Sequence, residues 1–161
     1  VKKAKGKAKK VTAVRAALHE GSTLLSSVCD GMGAVENAHR SYFDDGLRSR
    51  IDDSLNLDEA TRSAHPQANR WDYVLGDQGT RKLFAVEPHS ANTGEISVVI
   101  KKKAAALEHL RGHLRNGQVI DRWIWVASGT VRLVPLEKSK FQLDKAGIVL
   151  CGRRVMLKDI V

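Results

Sequence analysis

From Trp71 onward the chain alternates in a way that few folds accommodate. WDYVL (71–75) is a short β-type run, GDQGT (76–80) is a glycine turn of hairpin length, and KLFAVE (82–87) is a second run. A long amphipathic segment follows from Asn92 to about Arg115, and then the strongly apolar DRWIWVASG (121–129). Strand, turn, strand, helix, strand in this order predicts an α/β protein: a mixed β-sheet with helices on its faces.

The helix has start and stop signals. Asn92 can cap it, Glu95 stands at the capping-box position, and Asn116-Gly117 ends it. Ile96, Ile100, Leu107, Leu110 and Leu114 give an apolar stripe, and position 103 in that register is a lysine. After DRWIWVASG, TVRLVP (130–135) pairs or continues nearby. LEKSKFQLDKAG then reads as a short helix stopped by Gly147, and IVLCGRRVML as a closing strand. Upstream, residues 11–64 read as a helical N-terminal part. VTAVRAALHE, STLLSSVCD and AVENAHRSYF show helical spacing, broken by Gly21, Gly31 and Gly33, and HPQANR is a loop.

A length of 161 residues suits one domain, here 11–161, with the sheet-containing core at 70–161. The first ten residues, VKKAKGKAKK, carry six lysines and no acid. They leave 21 of the 27 basic residues to face 18 acidic ones, so most of the net charge of +9 sits in this tail. Lys, Ala and Gly cannot bury enough apolar surface to fold alone. The tail therefore reads as a disordered arm, with Lys2, Lys3, Lys5, Lys7, Lys9 and Lys10 available to nucleic-acid phosphates. A merely solubilising end is the plain alternative. No apolar run approaches the roughly 20 residues of a membrane span, and the lysine-rich start lacks the apolar stretch of a signal peptide. Cys29 and Cys151 have no CxxC partner and read as two reduced thiols. Cytoplasmic placement is expected, with the nucleoid or nucleus as the alternative for a nucleic-acid binder.

The stretch FAVEPHS (84–90) delivers Glu87 and His89 two residues apart, hence on one strand face. Hairpin pairing can bring Asp72 beside Glu87. Two converging carboxylates suit a hard divalent cation, Mg²⁺ or Mn²⁺, held through oxygen. A bound cation could activate water at a phosphodiester, with an imidazole or ammonium assisting. Each residue also has an ordinary reading. Asp72 could be a strand-edge carboxylate, His89 a polar loop residue, and Pro88 the mark of a sheet edge or bulge. His109 and His113 stand four apart on the helix, but no third ligand accompanies them at zinc spacing. Phosphate-loop, dinucleotide and nucleophile-elbow motifs are absent from the sequence. Aromatic content of 5% argues against reading single strands mainly by stacking.

Asp72, then Glu87-Pro88-His89 on the next strand, resembles the PD-(D/E)XK nuclease superfamily, the restriction-endonuclease-like fold. That pattern has an Asp on one strand and Glu-x-Lys on the next, within an αβββαβ core. The resemblance covers roughly residues 35–152. Trp71 stands where the motif has proline, Pro88 lies inside the triplet, and His89 takes the lysine position. The resemblance implies metal binding by Asp72 and Glu87 and a catalytic part for His89. It also allows a lysine supplied from the following helix, for which Lys103 is the match. Snorkelling of Lys103 to solvent is the alternative. Lys101 and Lys102 are expected on a solvated face or as phosphate contacts. Glu36 matches an acid that some members carry on their first helix; a surface glutamate is its ordinary reading.

The function expected is a metal-dependent nuclease-like protein acting on DNA or RNA phosphodiesters. A non-catalytic nucleic-acid-binding module of the same fold is the alternative. A third is an inhibitory or interaction partner that docks through the acids Asp44, Asp45, Asp52 and Asp53.

Overall fold

The structure, a computed structural model, describes residues 11–132 and 137–161. Its centre is one six-stranded sheet: β1 (Val28–Asp30), β2 (Ile51–Asn56), β3 (Tyr73–Asp77), β4 (Leu83–Asn92), β5 (Arg122–Arg132) and β6 (Ile148–Cys151), lying side by side in chain order. Strands β1 to β4 are antiparallel neighbours, whereas β5 runs parallel to β4 and β6 parallel to β5. Parallel neighbours need a crossover. Helices α4 (Ile96–Leu110) and α5 (Glu137–Ala146) supply the two crossovers. Short helices α1 (Ala13–Ala17), α2 (Asp45–Arg48), α3 (Leu57–Arg62) and α6 (Leu157–Ile160) complete the described elements. The chain is thus α/β, with a mixed sheet flanked by helices. No described helix is long and apolar enough to cross a membrane.

Both sheet faces are covered, which explains why LFAV and WIWV are continuously apolar rather than alternating. On one face Val74, Leu83, Ala85, Trp123 and Trp125 pack with Val99, Ala106 and Leu110 of α4. On the other, Tyr73, Leu75, Phe84, Val86, Ile124 and Val126 pack with Phe43, Leu47, Val155 and Ile160.

The N-terminal part differs from the helical expectation. It contains β1 and β2, and its helices are short pieces. β2 is hidden from periodicity because its sequence, IDDSLN, buries polar groups. Asp53 is fully buried and accepts hydrogen bonds from the backbone N–H groups of Val14 (2.9 Å) and Arg15 (3.0 Å) at the start of α1. Asp52 accepts from Ala13 N–H (3.0 Å) and pairs with Arg81 (2.7 Å). Asp44 caps α2 through Gly46 N–H (3.1 Å), and Asp45 lies 3.5 Å from Arg48. Of the four acids read as a docking patch, Asp53 is buried and the other three are engaged in helix caps or ion pairs, so they do not form a free acidic face.

The α4 stripe is also turned from the one expected. Its buried residues are Ile96, Val99, Ala106 and Leu110, while Leu107 is exposed. Asn92 makes no side-chain cap; a 3-10 turn at Thr93–Glu95 leads into the helix instead. The strand β5 continues to Arg132, so the rest of TVRLVP, 133–135, lies outside the described residues.

Candidate active site

Tyr73 stands opposite Val86 in the β3–β4 ladder, and β3 ends there. The next pair outward is therefore Asp72 and Glu87, both on the face that α4 covers. Asp72 N–H donates to Glu87 Oε2 at 2.9 Å. Beyond Val86, β5 is the only neighbour of β4 among the described residues, paired Glu87 with Trp125, Pro88 with Val126 and His89 with Ala127. Pro88 thus lies where the sheet has lost one flank, the position at which a missing N–H costs least.

Glu87 is fully buried. Its Oε1 receives the ammonium of Lys102, whose side chain is 18% exposed. Burial first, and then the Asp72 charge, push the Glu87 carboxyl up to about 8; Lys102 and the Asp72 N–H act in the opposite direction. The Asp72 carboxyl is also raised, mainly by burial, with Asp58 and Glu36 adding to the rise and Lys102 and His39 opposing it. The Asp72 side chain accepts no hydrogen bond from the described residues.

His89 shares the face of Glu87, with Nδ1 3.6 Å from Glu87 Oε1. Its Nε2 lies 2.7 Å from Glu95 Oε2, and its carbonyl accepts from Trp125 Nε1 at 3.0 Å. Glu95, read as a capping-box residue, instead holds this imidazole.

The two neighbouring lysines have different surroundings from those expected. Lys102, expected on the solvated face, turns to Glu87. Lys103 reaches the carbonyl of Ala146 at the end of α5, and its nitrogen stands 5.3 Å from the centre of the Trp123 ring. Burial lowers the Lys103 pKa. Its ammonium is not shared with the carboxylates. Lys101 is exposed, and the six tail lysines lie outside the described residues.

Glu36 sits at the head of a 3-10 turn, Asn37–Tyr42. The turn is tied to β3 because His39 Nδ1 lies 2.6 Å from Tyr73 Oη and Glu36 N–H donates to the same oxygen at 3.4 Å. His39 and Tyr73 were not singled out in the sequence. An aromatic next to Asp72 on a strand gave no sign that its hydroxyl would hold the turn carrying Glu36.

Asp72 and Glu87 are the two side chains here whose oxygens could hold a hard divalent cation. Both carboxyls are held above their ordinary pKa, chiefly by burial, and the Asp72 side chain has no hydrogen-bond donor among the described residues. No group of three or more His, Cys, Asp or Glu side chains among the described residues, at this site or elsewhere, is arranged to hold a metal ion. Compared with family profiles, curated proteins and solved structures, the chain matches none.

Proposed function

We propose that this protein is a metal-dependent hydrolase of nucleic-acid phosphodiesters built on a restriction-endonuclease-like core. The observation that carries this reading is the convergence of Asp72 and Glu87 on one sheet face with an ammonium from the crossover helix, Lys102. The order α2, β2, α3, β3, β4, α4, β5 supports it, since it contains the αβββαβ sequence of that fold, with α2 reduced to four residues and the short helix α3 inserted between β2 and β3.

Asp72 and Glu87 would hold Mg²⁺ or Mn²⁺, which when bound supplies charge stabilisation at a phosphoryl oxygen and a more acidic water. Lys102 takes the part first assigned to Lys103. Its ammonium stands at the carboxylate edge, where it can hold an attacking water or offset negative charge on phosphorus. The His89 imidazole is oriented by Glu95 and flanks the same carboxylate, while the Trp125 indole holds the His89 backbone carbonyl. The lysine-rich tail grips the phosphate backbone without regard to sequence.

One observation favours a second reading, a binding module without catalysis. Both oxygens of Glu87 already have partners within the chain, as a purely structural buried carboxylate would. Cleavage of supercoiled plasmid and of RNA with Mg²⁺ or Mn²⁺ separates the two. The proposal expects metal-dependent cleavage that falls at least a hundredfold in Glu87→Ala and Lys102→Ala but changes little in Lys103→Ala, on the scale of a lost acid–base or electrostatic group. Salt-sensitive binding with no cleavage in any variant would favour the binding module.

A further inference from the structure

A groove of about 650 Å³ opens between the 3-10 turn that begins at Asn37 and helix α3. We propose that it is a subsite for one unpaired nucleobase, so that the preferred substrate is a single strand or a locally opened duplex. This deepens the phosphodiester reading and rests on it.

Contiguity is the first argument. Glu36 lines the groove, and its charge is among those acting on Asp72. Asn56 and Glu59 line the opposite part, and between them the backbone N–H groups of Leu57 and Asp58 hold the Asp72 carbonyl at 2.8 and 3.4 Å. Glu36 and the start of α3 thus join the groove to the surroundings of Asp72, within the path of a strand bound at the carboxylates. The volume is within the range of small-molecule sites, about 300–1,000 Å³.

Charge excludes a phosphate as the occupant. Glu36 and Glu59 contribute two carboxylates to the lining. Among the described residues the one lining cation is Arg40, which donates through Nε to the Val35 carbonyl (3.1 Å) and through Nη2 to the Met32 carbonyl (3.3 Å). The remaining lining is neutral and polar: Ser27, Asn37 and Asn56. Asn56 spends its Oδ1 on Glu59 N–H (2.9 Å), which directs the oxygen inward to the helix cap. Hydroxyl, amide and carboxylate groups together match the donors and acceptors of a base edge, and a duplex keeps that edge paired. The fixed guanidinium of Arg40 offers a plane for stacking, which a groove with no aromatic lining needs. The wall is closely packed: a Cβ at Gly33 would lie 2.8 Å from Cys29 Cβ and 3.0 Å from the Asp30 carbonyl.

The test is fluorescence anisotropy with a fluorescein-labelled single-stranded DNA 12-mer and the same 12-mer made of abasic sugars, in EDTA so that nothing is cut. The two strands carry equal charge, so the contribution of the tail cancels. Wild type is expected to bind the base-bearing strand about tenfold more tightly, the scale of one or two hydrogen bonds and a stack. Asn37→Ala, at an exposed position, and Ala60→Trp, which fills the groove, should each shrink that ratio at least threefold and leave abasic binding unchanged. Equal affinity for the two strands in wild type would overturn the proposal. So would an undiminished ratio in Asn37→Ala and in an Ala60→Trp protein with a native circular dichroism spectrum. The readout does not involve cleavage. A protein that prefers bases but cuts nothing keeps the groove and loses the hydrolase reading; one that cuts without the preference does the reverse.

Discussion

Glu87 takes its partners from three elements: Asp72 before β3, His89 in β4 and Lys102 in α4. Its raised carboxyl has a consequence for stability. The folded state holds the proton more tightly than the unfolded chain, so this contribution is fully present below the ordinary glutamate range, near pH 4.3, and is lost as pH rises towards about 8. In EDTA, the urea midpoint of wild type should fall between pH 5 and 8.5, and Glu87→Gln should flatten that slope; parallel slopes would refute the assignment. Lys102→Met at pH 9 leaves a buried carboxylate without its cation and should cost about 3 kcal/mol in urea unfolding. Lys103→Met loses a hydrogen bond at the end of α5 and should cost about 1 kcal/mol. That Asp72 stands opposite Glu87, with His89 on the same face, was legible in the sequence because a strand has a period of two and a hairpin of known turn fixes which residues oppose. The choice between Lys102 and Lys103 was not, because adjacent residues on a helix are 100° apart and a small rotation exchanges their roles.

That rotation belongs to the element. Leu107 is larger than Ala106, so hydrophobicity alone draws the stripe through 107; packing places Ala106 against the sheet, where a small side chain lets the helix approach closely, and leaves Leu107 exposed. Strand β2 was illegible for a related reason: its buried Asp53 and Asn56 are hidden because they cap α1 and α3 from within the sheet. Gly76 lies under that contact, where a Cβ would come within 2.6 Å of both Ala13 Cβ and Asp53 Oδ1. Gly76→Ala should therefore cost about 1–3 kcal/mol by overpacking, measured by urea unfolding. At the other end of α4, the ring of His109 stacks on that of His65 with centres 4.3 Å apart. Burial, then the His65 ring and Arg70, lower the His109 pKa. The unfolded state takes up this proton first, so stability should fall as pH drops below about 6.5. His109→Leu should lessen the loss between pH 7 and 5; an unchanged loss would show that this histidine does not contribute.

For the whole molecule, the hairpin–helix–strand order beyond Trp71 was enough to give a mixed sheet between helices, because parallel pairing demands a crossover and leaves few arrangements. The same sequence could not show that β1 and β2 extend the sheet, since their polar residues are satisfied only by partners distant in the chain. The concentration of charge in residues 1–10 belongs to this scale too. Their removal should weaken binding to any polyanionic strand and flatten its dependence on salt, read from affinities at 50 and 200 mM. The proposed function requires Asp72 and Glu87 to act as one cation site. Its most direct test is a calorimetric titration of Mn²⁺ into wild type and Asp72→Asn, a change that keeps the backbone N–H on Glu87. One site in wild type, weakened at least tenfold in the variant, is the predicted result; equal binding by the two proteins, or none by either, would contradict it.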